Sequence, residues 1–226
     1  MAAAVLDGEV VVCGGRNASK LFQTVECFDP SAGAWAPLPS LSAPRDGAVA
    51  MVLQGALYVC AGSGSSSQRL PFVERFDPEA GHWEVMSPTR TTMPNVEDAA
   101  DSVCAAATAL WDKLVIFGGR HKDLSSPEPP GDPTLLLNAS TGAWEAAATQ
   151  PEGLGLPGSA SIAAVNGQVL VCGGVGRDGN TLKTAACLVP QRLRKDVDAE
   201  HIATWVELPD MPSGPRREAL AVAVYA

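Results

Sequence analysis

Three histidines, two tyrosines and six cysteines are the residues of this 226-residue chain best suited to acid–base, redox or metal chemistry, and their positions do not converge. General acid–base or metal-assisted catalysis needs such groups to meet around one reacting atom. His82 follows an Ala-Gly turn, His121 follows a Gly-Gly pair and His201 lies in a charged stretch; Tyr58 sits inside an apolar run and Tyr225 is next to the last residue. No Cys-x-x-Cys is present, so the cysteines read as buried, reduced thiols rather than as metal ligands or disulfides. Glu97, Asp98 and Asp101 form a short acidic run, which reads as a solvated loop. Gly174-Val175-Gly176-Arg177-Asp178-Gly179 fits the G-x-G-x-x-G pattern, yet no strand–helix–strand alternation surrounds it to supply the helix N-terminus that a pyrophosphate needs. The chain therefore reads as noncatalytic, with no cofactor and no metal.

The cations offer a different chemistry. Arg16, Arg45, Arg69, Arg90, Arg120 and Arg177, together with His121, lie in connections rich in Gly, Ser and Pro. A guanidinium presents its donors as a rigid fork that matches a carboxylate, so these residues suit the capture of an acidic group. The net charge of −9 argues against nonspecific nucleic-acid binding, which needs a basic footprint. No stretch approaches the ~18 uninterrupted apolar residues that read as a membrane-spanning helix. Met1 to Leu6 carry no basic lead and are followed by Asp7 and Glu9, so a secretory signal is not expected; the expected location is cytoplasmic or nuclear.

The elements that must position these groups recur four times. A β-rich run ends in a pair of small residues at Cys13-Gly14-Gly15, Cys60-Ala61-Gly62, Phe117-Gly118-Gly119 and Cys172-Gly173-Gly174. A lone tryptophan then follows in each unit, at Trp35, Trp83, Trp144 and Trp205, spaced by 48, 61 and 61 residues. Asp7-Gly8, Gln54-Gly55 and Asn166-Gly167 each stand between two apolar runs, which is the chemistry of a two-residue hairpin with positive φ at both central positions. Phe28-Asp29-Pro30 and Phe76-Asp77-Pro78, each followed by an Ala-Gly, supply a second turn; Leu137-Asn138-Ala139 stands in that place in the third unit. Each unit thus reads as four antiparallel strands, and a period near ~50 residues is a propeller-blade period.

These residues resemble Kelch repeats over essentially the whole chain. The resemblance implies an all-β propeller of about four four-stranded blades in an incomplete ring: one domain over residues 1–226, with repeats at about 1–40, 41–88, 89–150 and 151–212. Residues 213–226 read as the inner strand of a further or closing blade. Each tryptophan is expected to cover the gap between blades. Alternating strand direction puts the second-to-third and fourth-to-first loops on one face, and those loops hold eleven of the 16 lysines and arginines. Asp7, Glu9, Asp29, Asp77, Glu79 and Asp112 fall on the other face. The resemblance implies a protein-interaction module, for example a substrate adaptor of a ubiquitin ligase, binding an acidic peptide through Arg16, Arg45, Arg69, Arg90, Arg120, His121 and Arg177. The alternative it implies is an enzyme or lectin for acidic sugars, similar to Kelch-type sialic acid epimerases.

Overall fold

The computed structural model describes residues 1–65, 73–86, 107–117, 133–149, 161–174, 180–190 and 203–212. Its elements are sixteen strands, with no α-helix among the described residues. Blade 1 contains β1 (Ala2–Leu6), β2 (Glu9–Cys13), β3 (Val25–Asp29) and β4 (Ala34–Leu38). Blade 2 contains β5 (Val49–Leu53), β6 (Ala56–Cys60), β7 (Val73–Asp77) and β8 (His82–Met86). Blade 3 is built of β9 (Ala107–Leu110), β10 (Lys113–Phe117), β11 (Pro133–Asn138) and β12 (Trp144–Thr149). Blade 4 is built of β13 (Ser161–Val165), β14 (Gln168–Cys172), β15 (Ala185–Pro190) and β16 (Ala203–Leu208). Each blade is an antiparallel sheet whose strand order follows the chain, and the first strands β1, β5, β9 and β13 pack side by side in that order.

The turns follow from residue type. Asp7 and Gly8 have φ of 50° and 84°, Gln54 and Gly55 51° and 73°, and Asn166 and Gly167 51° and 74°. These are the left-handed pairs that a right-twisted hairpin demands. At the β3–β4 turn Asp29 Oδ1 accepts the amides of Ser31 and Ala32, and at the β7–β8 turn Asp77 Oδ1 accepts those of Glu79 and Ala80. Asn138 does the same in blade 3, its Oδ1 accepting from Ser140 and Thr141 at 3.0 Å. The side-chain oxygen makes this turn, which is why the third unit survives the loss of Asp-Pro.

The core is divided among the gaps between blades. Leu6, Val11, Cys13, Val25 and Leu41 of blade 1 meet Leu57, Val59 and Phe76 of blade 2. Tyr58, Cys60 and Val73 on the other side of blade 2 meet Leu114, Ile116, Leu137 and Trp144 of blade 3. Val115, Phe117 and Leu136 meet Val169, Val171 and Leu188 of blade 4. The second strand β6, with a blade on both sides, is buried at every position, whereas β2, in the first blade, alternates.

Of the four tryptophans at the repeat position, three lie at these gaps. Trp83 donates its Nε1–H to Pro39 O of blade 1 at 2.7 Å, Trp144 is buried against blade 2, and Trp205 packs tilted by 59° against Phe117 of blade 3, with ring centroids 5.4 Å apart. Trp35 departs from the expectation that every tryptophan covers a gap. It is 56% exposed and its ring neighbour is Phe28 of its own blade, because no described blade precedes blade 1.

Candidate functional site

The face expected to carry the site is formed by the β2–β3, β4–β5 and corresponding loops of later blades. Its described portion is built on close backbone approach. Gly14 has φ of 59°, and a Cβ there would lie 2.7 Å from Arg45 O; Gly62, at φ 88°, would place one 2.9 Å from Asp46 O. The small-residue pairs are therefore needed because the exit loop of blade 1 crosses directly over them. Asp46 and Ser63 exchange both backbone hydrogen bonds, which ties this exit loop to the β6–β7 loop.

Arg16 sits at the mouth of the β2–β3 loop, with its side chain 70% exposed and its Nε 3.1 Å from Asp46 Oδ2. The loop beyond it is held by Asn17 Oδ1, which accepts the amides of Ser19 and Lys20, and by the bridge between Arg16 and Leu21. Lys20 Nζ lies 4.9 Å over the ring of Phe22. In blade 4, Lys183 Nζ pairs with Asp210 Oδ2 at 2.7 Å near the rim. Arg69, Arg90, Arg120, His121 and Arg177 lie outside the described residues, as do Glu97, Asp98 and Asp101.

Arg45 is a correction to the sequence reading: it is 0% exposed and cannot meet a partner. Its Nε and Nη2 donate to Glu74 Oε1 at 3.1 and 2.9 Å, and its Nη1 donates to Ala61 O at 2.9 Å. Glu74 Oε2 takes the Ser42 amide at 2.7 Å. A guanidinium and a carboxylate buried together satisfy each other, whereas a rim arginine would meet water. Burial pulls Arg45 below the ordinary arginine value, and the Glu74 charge opposes that pull. Burial, aided by the same carboxylate, pushes the Cys13 thiol up to about 12, so it stays protonated and unreactive at neutral pH.

On the opposite face, Glu9 accepts from the Cys27 thiol and Asp112 accepts from the Asn138 amide. Asp29 and Asp77 cap turns, and the Ala80 amide is the largest influence holding Asp77 below the usual carboxylate value. That face also has a feature missed by the sequence reading. A cavity of about 290 Å³ opens between blades 3 and 4, lined by Leu110, Trp111, Val115, Leu136, Leu188 and Pro190, with the Lys113–Glu145 ion pair in its wall. Trp111 takes φ of 56° at the β9–β10 turn, and its indole lies over the β13–β14 turn, where a Cβ on Gly167 would be 3.3 Å away. A bulky residue at positive φ is a genuine outlier. The available signal was Trp111-Asp112 standing where the other units have Asp-Gly, Gln-Gly or Asn-Gly. Among the described residues, no group of three His, Cys, Asp or Glu side chains is placed to hold a metal ion.

Four-stranded blades arranged side by side along their first strands define a β-propeller. The sequence model of the Kelch motif matches residues 1–42 and 44–90, which hold the first two blades. It is similar to human Kelch-like protein 33, with 38% identity over 63 residues, covering 28% of this chain and 12% of that protein. It is also similar to the mouse Influenza virus NS1A-binding protein homolog, with 38% identity over 64 residues, 28% of this chain and 10% of that protein. The matched stretches thus span about a tenth of these relatives. The solved structure of YjhT shares the fold, with a TM-score of 0.66 and 15% identity over 94% of this chain and 70% of that one.

Proposed function

We propose that the chain is a noncatalytic protein-interaction module that receives an acidic segment on the face of the β2–β3 and β4–β5 loops. The observation that carries this reading is Arg16: a largely exposed guanidinium, fixed by a bridged loop and one carboxylate, beside the small-residue pair that recurs in each blade. Arg69, Arg120 and Arg177 occupy the corresponding second-to-third-strand loops in the sequence. Kelch repeats and the similarity to Kelch-like protein 33 support a protein partner, with adaptor duty in a ubiquitin ligase as the specific form. An enzyme or lectin for acidic sugars would use the same cations, and the test separates the two.

The test is binding of acidic peptides and of sialic-acid-type sugars to the wild type and to the Arg16→Ala/Arg120→Ala variant, across salt concentration. Each desolvated charge-assisted contact is worth about 1.5–3 kcal/mol, so losing two should weaken an acidic peptide by about a hundredfold or more. Selective sugar binding with turnover would establish the second reading. Equal binding by the variant and the wild type, or binding of neither ligand, would overturn both.

A further inference from the structure

We infer that the cavity between blades 3 and 4 is a binding site for a small organic amine, an aromatic ring carrying a short alkylammonium chain. Repeat-equivalent positions explain why space is left here. The middle residue of a second strand lies opposite one residue of the third: Val11 opposite Cys27 in blade 1, Tyr58 opposite Arg75 in blade 2 and Val115 opposite Leu136 in blade 3. Such partners share a face of the sheet. The residue facing them from the following blade is Phe76, Leu137 or Leu188, each opposite the second residue of its own second strand. The gap between blades 1 and 2 therefore holds the Phe76 ring, and the gap between blades 2 and 3 holds the Tyr58 ring beside the Arg75 side chain. Between blades 3 and 4 all three positions are branched aliphatic, so the ring volume is missing, and about 290 Å³ stays open. The β15–β16 ladder also runs on past Leu188–Trp205 through Val189–Thr204 to Pro190–Ala203, which gives the cavity an outer wall.

The size, the rim and the charges specify the occupant. An apolar cavity of about 150 Å³ takes up benzene, so this one has room for a ring and a short chain. At its mouth Trp111 holds φ of 56° in the turn position that Asp7, Gln54 and Asn166 occupy at 50°, 51° and 51°, and it is 45% exposed there. A bulky residue kept in a strained conformation marks a ligand clamp more than a turn, where glycine or asparagine would serve better. The exposed indole face suits a cation. Lys113 is taken by Glu145, whereas Asp112 uses one of a carboxylate's several acceptor positions on Asn138, whose Nδ2 lies 3.3 Å from Asp112 Oδ2. Two carboxylates and one ammonium leave the lining with one negative charge, which attracts an ammonium and repels a carboxylate. This site lies on the face opposite the β2–β3 loops and does not rest on the acidic-segment reading.

The experiment titrates the full chain with 2-phenylethylamine, 2-phenylethanol and phenylacetate, read by the indole N–H signals of the five tryptophans in two-dimensional NMR. The amine should saturate with a Kd of about 1 mM or tighter, the alcohol should bind at least about threefold more weakly and the carboxylate at least about 30-fold more weakly. The signal that disappears in Trp111→Gly belongs to Trp111, and in the wild type it should shift with the amine. Leu188→Phe supplies the ring that Phe76 supplies between blades 1 and 2; it should weaken the amine at least about tenfold while Tm is kept or raised, as cavity filling does. Asp112→Asn keeps an acceptor for Asn138 and should bring the amine down to the affinity of the alcohol. Trp111→Gly should weaken the amine at least about fivefold, and it carries the test if circular dichroism shows that Leu188→Phe does not fold. An amine that does not saturate would overturn the proposal, as would a carboxylate that binds as tightly, or a folded Leu188→Phe or Trp111→Gly variant that binds the amine like wild type.

Discussion

The buried pair Arg45–Glu74 gives the sharpest quantitative test of how the blades are held together. Glu74 accepts two hydrogen bonds from Arg45 and one from the Ser42 amide, and both side chains are 0% exposed. Glu74→Leu removes the carboxylate and leaves the guanidinium buried, with Ala61 O still accepting from Nη1. Breaking such a pair from one side costs about 3–5 kcal/mol, because an uncompensated charge stays buried. At about 2–4 °C per kcal/mol for a chain of this size, the expected fall in Tm is about 6–20 °C. Arg45→Met should cost about as much, since it strands the carboxylate. The double variant Arg45→Met/Glu74→Leu removes both charges and should be more stable than the sum of the singles implies, by at least about 2 kcal/mol of coupling. Urea unfolding of the four proteins measures the cycle. Single-variant losses under about 1 kcal/mol, or additivity in the double, would refute the claim that this pair is desolvated and mutually satisfied.

Four further expectations can be checked by the same unfolding measurements. Trp83→Ala should cost about 3–5 kcal/mol as a truncation of a large interblade side chain, whereas Trp35→Ala should cost less than about 1 kcal/mol at low protein concentration. Gly8→Ala, where a Cβ meets nothing within 4 Å, should lose about 1–2 kcal/mol from its φ of 84° alone, and Gly14→Ala should lose clearly more because the Arg45 carbonyl blocks the Cβ. Ala61 occupies φ of 60°, so Ala61→Gly should raise stability by about 1 kcal/mol. Asp77 has its pKa lowered in the folded state from the ordinary 3.8, so the stability it adds is present above that value and lost as pH falls below it; Asp77→Asn keeps the turn, as Asn138 does, and should lose less of its midpoint on acidification than wild type.

What the sequence revealed, and what it concealed, follows from how far apart the interacting groups lie. The Asp7-Gly8 and Asn166-Gly167 turns were legible because both positive φ values belong to adjacent residues and depend on nothing else. The buried role of Arg45 was not legible by loop position, since its partner Glu74 is 29 residues away on the next blade. A signal did exist: Glu26 and Glu74 recur at one position of the third strand, directly after Val25 and Val73, and a repeated acid in a core strand asks for a repeated cation. Leu135 and Ala186 stand at that position in blades 3 and 4, opposite Ile116 and Val171 as Glu74 is opposite Val59, so those blades do without the pair. Trp35 concealed its environment for a related reason. Position within a repeat fixes where a side chain points, but burial is supplied by the neighbouring blade, and stability in such an array is a sum over neighbour interfaces. Trp35 and Glu26 of blade 1 repeat Trp83 and Glu74 of blade 2 with no described blade against them, so position within the repeat predicts how these side chains are oriented and leaves their burial to the neighbouring blade.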